Sequence, residues 1–91
     1  MTAEKQVAND VVRVTRWTLR EGEATGTHQH GHDYVVVPLA PARMEVTAAD
    51  GSRTTAELTP GVAYFREAGA RHDVSNPGGD VLDFVEVEVL R

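Results

Sequence analysis

The chain has 91 residues, enough for one domain, and a domain of this size buries only about 60–65% of its unfolded surface. It contains no cysteine, which excludes disulfides, cysteine-ligated zinc sites and thiol nucleophiles. Nine Lys and Arg against 14 Asp and Glu give a net charge of −5, which argues against nucleic-acid binding. No apolar run reaches the roughly 18 residues of a membrane span, and the first ten residues lack the apolar segment of a secretory signal. We therefore expect a cytoplasmic protein that does not contact membranes.

Turn residues recur about every eight to twelve positions between β-branched segments, which predicts an all-β sandwich or barrel of about eight short strands. We expect residues 1–9 to form a flexible tail and residues 10–91 to form the single domain. No segment of ten or more residues shows helical spacing. The predicted strand segments are Val11–Leu19, His28–Leu39 (one strand or a pair), Arg43–Ala48, Ser52–Leu58, Val62–Phe65 and Val81–Leu90.

The first predicted strand changes the parity of its apolar residues. Val12 and Val14 alternate on one face, whereas Trp17 and Leu19 alternate on the other. This change predicts a β-bulge near Thr15.

The last predicted strand alternates valine with glutamate. Val85, Val87 and Val89 share one face, and Glu86 and Glu88 share the other. We expect the valines to close the barrel or to pair across a dimer, and the glutamates to lie in solvent.

Three of the four histidines lie close together, at His28, His30 and His32. Alternate residues of an extended strand share a face, so His28 and His30 can offer two nitrogen ligands to one ion. A third ligand must come from a distant segment, and His72 is the only other histidine. Imidazoles suit Fe, Zn, Cu and Ni, and a three-histidine site leaves positions open for water or substrate. The alternative is a surface cluster that binds stray metal without function.

Two motifs in this sequence resemble those of the cupins. The first cupin motif begins with glycine, five residues and His-x-His, and Gly22 precedes His28 and His30 by that spacing. It continues with a glutamate, whose position falls here on Tyr34 or Val35, and with a closing glycine that is also absent.

The second cupin motif is matched position for position except at one residue. Gly61, Gly69, His72 and Asn76 have the motif's spacing, and Glu67 replaces its proline. The two motifs cover residues 22–76, and the resemblance implies a single-domain jelly-roll β-barrel.

The resemblance also implies that His28, His30 and His72 hold one divalent metal ion. Without the glutamate ligand, a three-histidine site is expected, and His32, Asp33 or Tyr34 could supply a fourth contact. His32 is the best of these because it shares the parity of His28 and His30, whereas Asp33 has the opposite parity.

Neutral imidazoles leave the full +2 charge of a divalent ion in the site, which favours an anionic or chelating oxygen ligand. Cupins with three-histidine iron sites are similar in this respect, and they imply a dioxygenase-like enzyme for a small molecule. Fe, Zn, Ni, Cu and Mn all remain open as the metal. The alternative function is a non-catalytic module that binds or senses a metal or small ligand, and a metal-free structural barrel is a third.

Several other residues carry expectations. Near the metal, His32 and Tyr34 are the candidates for proton transfer or substrate contact, although a strand tyrosine is more often a packing residue. Arg66 could bind a carboxylate substrate or lie exposed at a strand end, and Trp17 is expected in the core or a dimer interface.

The segments Asp33–Leu39 and Tyr64–Arg66 are similar to those of small cupins linked to β-alanine degradation, a label that names a pathway and not a reaction. The resemblance and the thin core together predict a homodimer.

Overall fold

Nine β-strands and no helix make up the computed structural model, which describes residues 1–91. The strands are β1 (Thr2–Ala8), β2 (Val12–Leu19), β3 (His28–Gln29), β4 (Asp33–Pro38), β5 (Ala42–Ala48), β6 (Arg53–Leu58), β7 (Tyr64–Arg66), β8 (Arg71–Ser75) and β9 (Leu82–Val89). They form a five-stranded sheet in the order β1-β2-β9-β4-β7 and a four-stranded sheet in the order β3-β8-β5-β6. The predicted all-β class is confirmed. The chain forms no helix of the length and apolarity that crossing a membrane requires.

The N-terminal residues pair with the sheet instead of forming the expected flexible tail. Thr2–Ala8 run antiparallel to β2 as an edge strand, and all of their side chains are exposed. Backbone hydrogen bonds to β2, and not burial, hold this strand in place. A shift in register between Lys5 and Val7 gives it a local irregularity.

The bulge expected near Thr15 does not occur in β2; the irregularity at this level lies in β1, where Lys5 and Val7 pair with Thr15 and Val14. The ladder between β2 and β9 runs without a shift along the whole of β2. The change in apolar parity has another cause, because β2 carries apolar side chains on both faces. Val14 lies on the outer face of the sheet, and Trp17 lies on the inner face that packs against the core.

The core lies between the two sheets, which pack face to face. Leu19 and Leu82 are direct neighbours across β2 and β9, and both are fully buried. The five-stranded sheet supplies most of the core, and the four-stranded sheet supplies the rest. The buried hydrophobic residues are Leu19, Tyr34, Val36, Met44, Leu58, Val74, Leu82 and Phe84.

Strand β9 turns inward the face that was expected in solvent, and its valines face outward, the orientation that pairing across a dimer would require. Leu82 and Phe84 are buried in the core, so the alternation of the strand turns Glu86 inward and Val85 and Val87 outward. The glutamates were expected in solvent, and this expectation is wrong for Glu86, which lines a cavity between the sheets. Burial of Leu82 and Phe84 at the start of β9 determines which face of the strand points inward, and alternation then places Glu86 on that face.

The outward valines belong to an apolar row that crosses the whole five-stranded sheet. Val7, Val14, Val87, Val35 and Phe65 are successive direct neighbours, one from each strand. Val7 is 41% exposed and Phe65 is 53% exposed. The outer face therefore presents a continuous apolar row to the surroundings.

Asn76 fixes the loop between β8 and β9, and its side chain is almost completely buried. Its Nδ2 donates to the carbonyls of Leu19 and Asp80 at 3.0 and 2.9 Å, and its Oδ1 accepts from the amide of Gly78 at 3.0 Å. These bonds explain the asparagine at the end of the second motif.

Substitution of this asparagine tests its structural role. We expect Asn76→Ala to lower the free energy of unfolding by about 2–4 kcal/mol, because it leaves buried backbone groups without partners. Asn9→Ala is the matched control, since Asn9 also caps two backbone amides but is exposed, and water can replace it. Equal losses for the two variants, measured by urea unfolding, would contradict this role.

Candidate metal centre

A cavity of about 310 Å³ opens at one end of the space between the sheets. Its walls are mainly aliphatic and aromatic, and its volume lies in the range of small-molecule sites. The titratable side chains in its lining are His28, His30, Tyr34, Tyr64, Arg66, His72 and Glu86.

Three imidazoles converge in this cavity. Strand pairing places His28 of β3 directly opposite His72 of β8, and His30 follows just after β3. The Nε2 atom of His30 lies 3.1 Å from that of His28 and 3.0 Å from that of His72. These three histidines form a group whose ligand atoms all lie within 4.8 Å of one another, so they are positioned to hold a metal ion.

The backbone holds His30 in place although it lies outside a strand. Its amide donates to the carbonyl of Ala70 at 3.0 Å, and its carbonyl accepts from the amide of Gly69 at 2.8 Å. Gly69 has φ near +100°, a conformation that side-chain-bearing residues rarely adopt. Gly69, a glycine of the second motif, therefore lets the loop before β8 form the two backbone hydrogen bonds that hold His30, a histidine of the first motif.

A second set of contacts orients His28. Its Nδ1 donates to the carbonyl of Gly26 at 2.8 Å, which leaves the Nε2 lone pair free to face the other imidazoles. The amide of Gly26 donates in turn to the carboxylate of Asp73 at 3.1 Å, so Asp73 fixes the loop that carries this acceptor. The arrangement sets both the tautomer and the direction of the ring.

The electrostatic environment keeps two of the imidazoles, those of His30 and His72, in the form that binds metal. Burial, reinforced by the neighbouring histidines, lowers the pKa of His30 to about 4. Burial, followed by His28 and Arg66, also lowers the pKa of His72. Both rings are therefore neutral at pH 7, with a lone pair available for coordination.

The spacing of the nitrogen atoms fits a metal ion. Two imidazole nitrogens about 2.1 Å from one ion and at a right angle lie about 3.0 Å apart, whereas tetrahedral ligands lie about 3.4 Å apart. The observed separations of 3.0 and 3.1 Å match the right-angle arrangement. The two histidine pairs that include His30 are therefore close enough to share one ion.

Two of the candidates for a fourth ligand lie outside this group. Strand β3 ends at Gln29, so the alternation that related His32 to the other histidines does not extend to it, and its side chain does not line the cavity. The carboxylate of Asp33 accepts the amide of Ala68 at 2.8 Å and thereby ties β4 to the loop after β7. The structure therefore does not bring His32 or Asp33 to the three imidazoles.

Tyr34 does reach the site, and it also packs in the core. It is 3% exposed, and its ring stacks on that of His30 with a centroid separation of 4.0 Å. Burial raises the pKa of Tyr34 to about 12, so its hydroxyl keeps its proton at neutral pH. The residue can donate a hydrogen bond to a ligand, but it is a poor base.

Arg66 lies beside Tyr34 across β4 and β7, and it lines the cavity. Its guanidinium lies 4.6 Å from the centroid of the Tyr64 ring. A cation so placed attracts anionic ligands toward the imidazoles.

Glu86 is the cavity residue that sequence reasoning assigned to solvent. Burial, with a smaller contribution from the charge of Glu88, raises the pKa of Glu86 to about 7. Glu88 differs because two hydrogen bonds from Arg13, at 2.9 and 2.8 Å, hold its pKa below the usual value. Leu82 and Phe84 share a face of the strand with Glu86, so these two large apolar residues were the sequence signal that this face points inward.

Comparison with known proteins shows close relatives of the whole chain. No protein-family model matches it. It is 46% identical over 84 residues to the β-alanine degradation protein BauB of Pseudomonas aeruginosa, covering 92% of this chain and 87% of that protein.

Solved structures share the fold. A cupin domain from Bordetella pertussis matches with a TM-score of 0.91 and 39% identity, over 97% of this chain and 91% of that one. An RmlC-like cupin family protein with a double-stranded β-helix fold, from Methanocaldococcus jannaschii, matches with a TM-score of 0.82 and 19% identity, over 97% and 78% of the two chains.

Proposed function

Because the chain belongs to the cupin family, we propose that it holds one divalent metal ion on His28, His30 and His72 and is a dioxygenase-like enzyme for a small anionic or chelating molecule. The observation that carries this proposal is the convergence of three imidazoles in a small-molecule cavity. The Pseudomonas relative is named for β-alanine degradation, and we extend to this chain a role in the breakdown of a small organic acid.

A divalent ion held by His28, His30 and His72 would supply Lewis-acid chemistry and, if it is redox-active, the activation of dioxygen. Both atoms of dioxygen enter the organic product in such a reaction, so the substrate itself supplies the electrons. The protein supplies binding and orientation. Arg66 draws an anionic group to the cavity, the protonated Tyr34 hydroxyl donates a hydrogen bond to it, and the apolar walls exclude water.

Oxygen consumption tests the enzymatic proposal. We expect the Fe(II)-loaded protein to consume dioxygen when β-alanine, its simple derivatives or small β-diketones are added, and the zinc-loaded protein to show no uptake because zinc has no redox chemistry. An oxygen electrode measures the consumption of dioxygen, and mass spectrometry identifies the oxygenated product. Metal-loaded protein that binds these molecules without consuming oxygen would contradict the proposal.

That last outcome would favour a non-catalytic module that binds a metal and a small ligand. One observation supports this second candidate, because Tyr34, the side chain stacked on the imidazole group, retains its proton and cannot serve as a base at neutral pH. Such a module would bind the metal and the small ligand at equilibrium without converting the ligand to a product.

A second copy of the chain is the partner that we propose for the outer face of the five-stranded sheet. Five strands about 4.8 Å apart and on average about six residues long give a face of roughly 500 Å², so a two-fold pair would bury about 1,000 Å². Specific interfaces begin near about 1,000 Å². Arg16 and Asp83 on this face neutralise each other through hydrogen bonds of 3.0 and 2.8 Å, so two copies would not repel each other there.

A further inference from the structure

We propose that Glu86 forms a second subsite in the cavity, which binds the protonated amine of a ligand whose anionic oxygen lies at the metal. This inference rests on the proposed metal site and specifies its substrate class. It assigns a ligand with a positive and a negative end, separated by a short carbon chain.

The position of Glu86 follows from the register of the five-stranded sheet. Glu88 is the direct neighbour of Tyr34, whose ring stacks on His30, so this row of the inner face lies beside the imidazole group. Glu86 lies one row farther along the same face, next to Val36. Two residues of a strand span about 7 Å, which is the reach of a short aliphatic chain.

The Glu86 carboxyl group has no hydrogen-bond or ion-pair partner within the protein. Burial, and after it the charge of Glu88, raises the pKa of Glu86, and the charge of Arg13 opposes them. Arg13 is already committed to Glu88 through a two-point ion pair. The Glu86 carboxyl group is therefore available to a ligand. A bound cation would stabilise its charged form and so lower its raised pKa.

The surroundings of Glu86 suit an ammonium group. Trp17 and Phe84 line the same cavity, and aromatic rings attract cations through the negative faces of their π systems. Arg66, the cation of the lining, neighbours Tyr34 in the row beside the imidazoles. The cavity is thus electropositive at its metal end and carries an acid farther in.

Ligand pairs that differ only in the amine test this subsite. Metal-loaded protein is titrated calorimetrically with 4-aminobutyrate and butyrate, and then with β-alanine and propionate. We expect at least one amine-bearing probe to bind about 10- to 100-fold more tightly than its partner, the range of a charge-assisted hydrogen bond. Glu86→Gln should abolish this preference and leave the metal content unchanged.

Glu57→Gln is the matched control, since it removes a carboxylate that is 79% exposed and does not line the cavity. Glu86→Leu provides a second variant that fills the space without a polar group, and it should also lose the preference. Equal or undetectable binding of both members of each pair to metal-loaded wild-type protein would overturn this inference alone. A wild-type chain that holds no metal would overturn it together with the proposed function.

Discussion

The His72→Ala variant is expected to lose the metal ion that the wild-type chain binds at close to one per molecule. The substitution removes one of three convergent ligands and leaves only two imidazoles to hold the ion. Changes to groups that merely support metal ligands already cost about 10- to 100-fold in affinity, so the loss of a ligand should exceed that range. Elemental analysis after loading with Fe(II) and gel filtration measures the effect.

Two further variants make this result specific. His28→Ala should lose metal to a similar extent, because it removes another member of the group. His32→Ala is the control, since its imidazole lies outside the group and should leave the metal content unchanged. Full metal content in His72→Ala, with circular dichroism matching the wild type, would contradict the assigned ligand set.

The second large effect is on assembly. Val87→Arg places a charge in the middle of the apolar row of the five-stranded sheet, where the proposed two-fold pair would bury it without a partner. An unpaired buried charge should weaken the dimer by about 100-fold or more. Light scattering should therefore change from twice the chain mass of 9.9 kDa to the mass of a single chain.

Thr55→Arg adds the same charge to an exposed position of β6 in the other sheet, and the dimer should remain intact. A single-chain mass for the wild-type protein at micromolar concentration would contradict the proposed assembly. An unchanged dimer in Val87→Arg would place the interface on another face.

The strand pattern and the histidine spacing were sufficient to predict the fold class and three candidate metal ligands. Period-two alternation and regular turns are local properties, so the all-β class could be predicted directly from the residues. The two spaced motifs placed His28, His30 and His72 as candidate ligands before any geometry was known. Strand pairing then explains why such distant residues meet, because His28 and His72 are direct neighbours across β3 and β8.

The orientation of β9 could not be predicted with the same rule. Alternation separates Val85 and Val87 from Glu86 and Glu88, but it does not say which set lies inside. Burial of valine favoured one answer, whereas the neighbouring Phe84 in the core imposes the other. A cavity that accommodates an acid and an outer face that presents valines both violate the usual inside-outside pattern, and such violations are typical of functional surfaces.

Two local expectations failed for related reasons. The tail prediction relied on polar composition, but the first residues are held by backbone pairing with β2, to which side chains contribute little. The His32 argument assumed a continuous strand, whereas β3 ends at Gln29. Sequence alternation carries no information about where a strand stops.

Anomalous diffraction from crystals of the Fe(II)-loaded protein tests the central claim most directly. The predicted result is one iron peak about 2.0–2.2 Å from the Nε2 atoms of His28, His30 and His72, at the usual distance for imidazole ligands. A peak on any other set of side chains, or no peak in a fully loaded crystal, would contradict the metal centre and the function proposed for it.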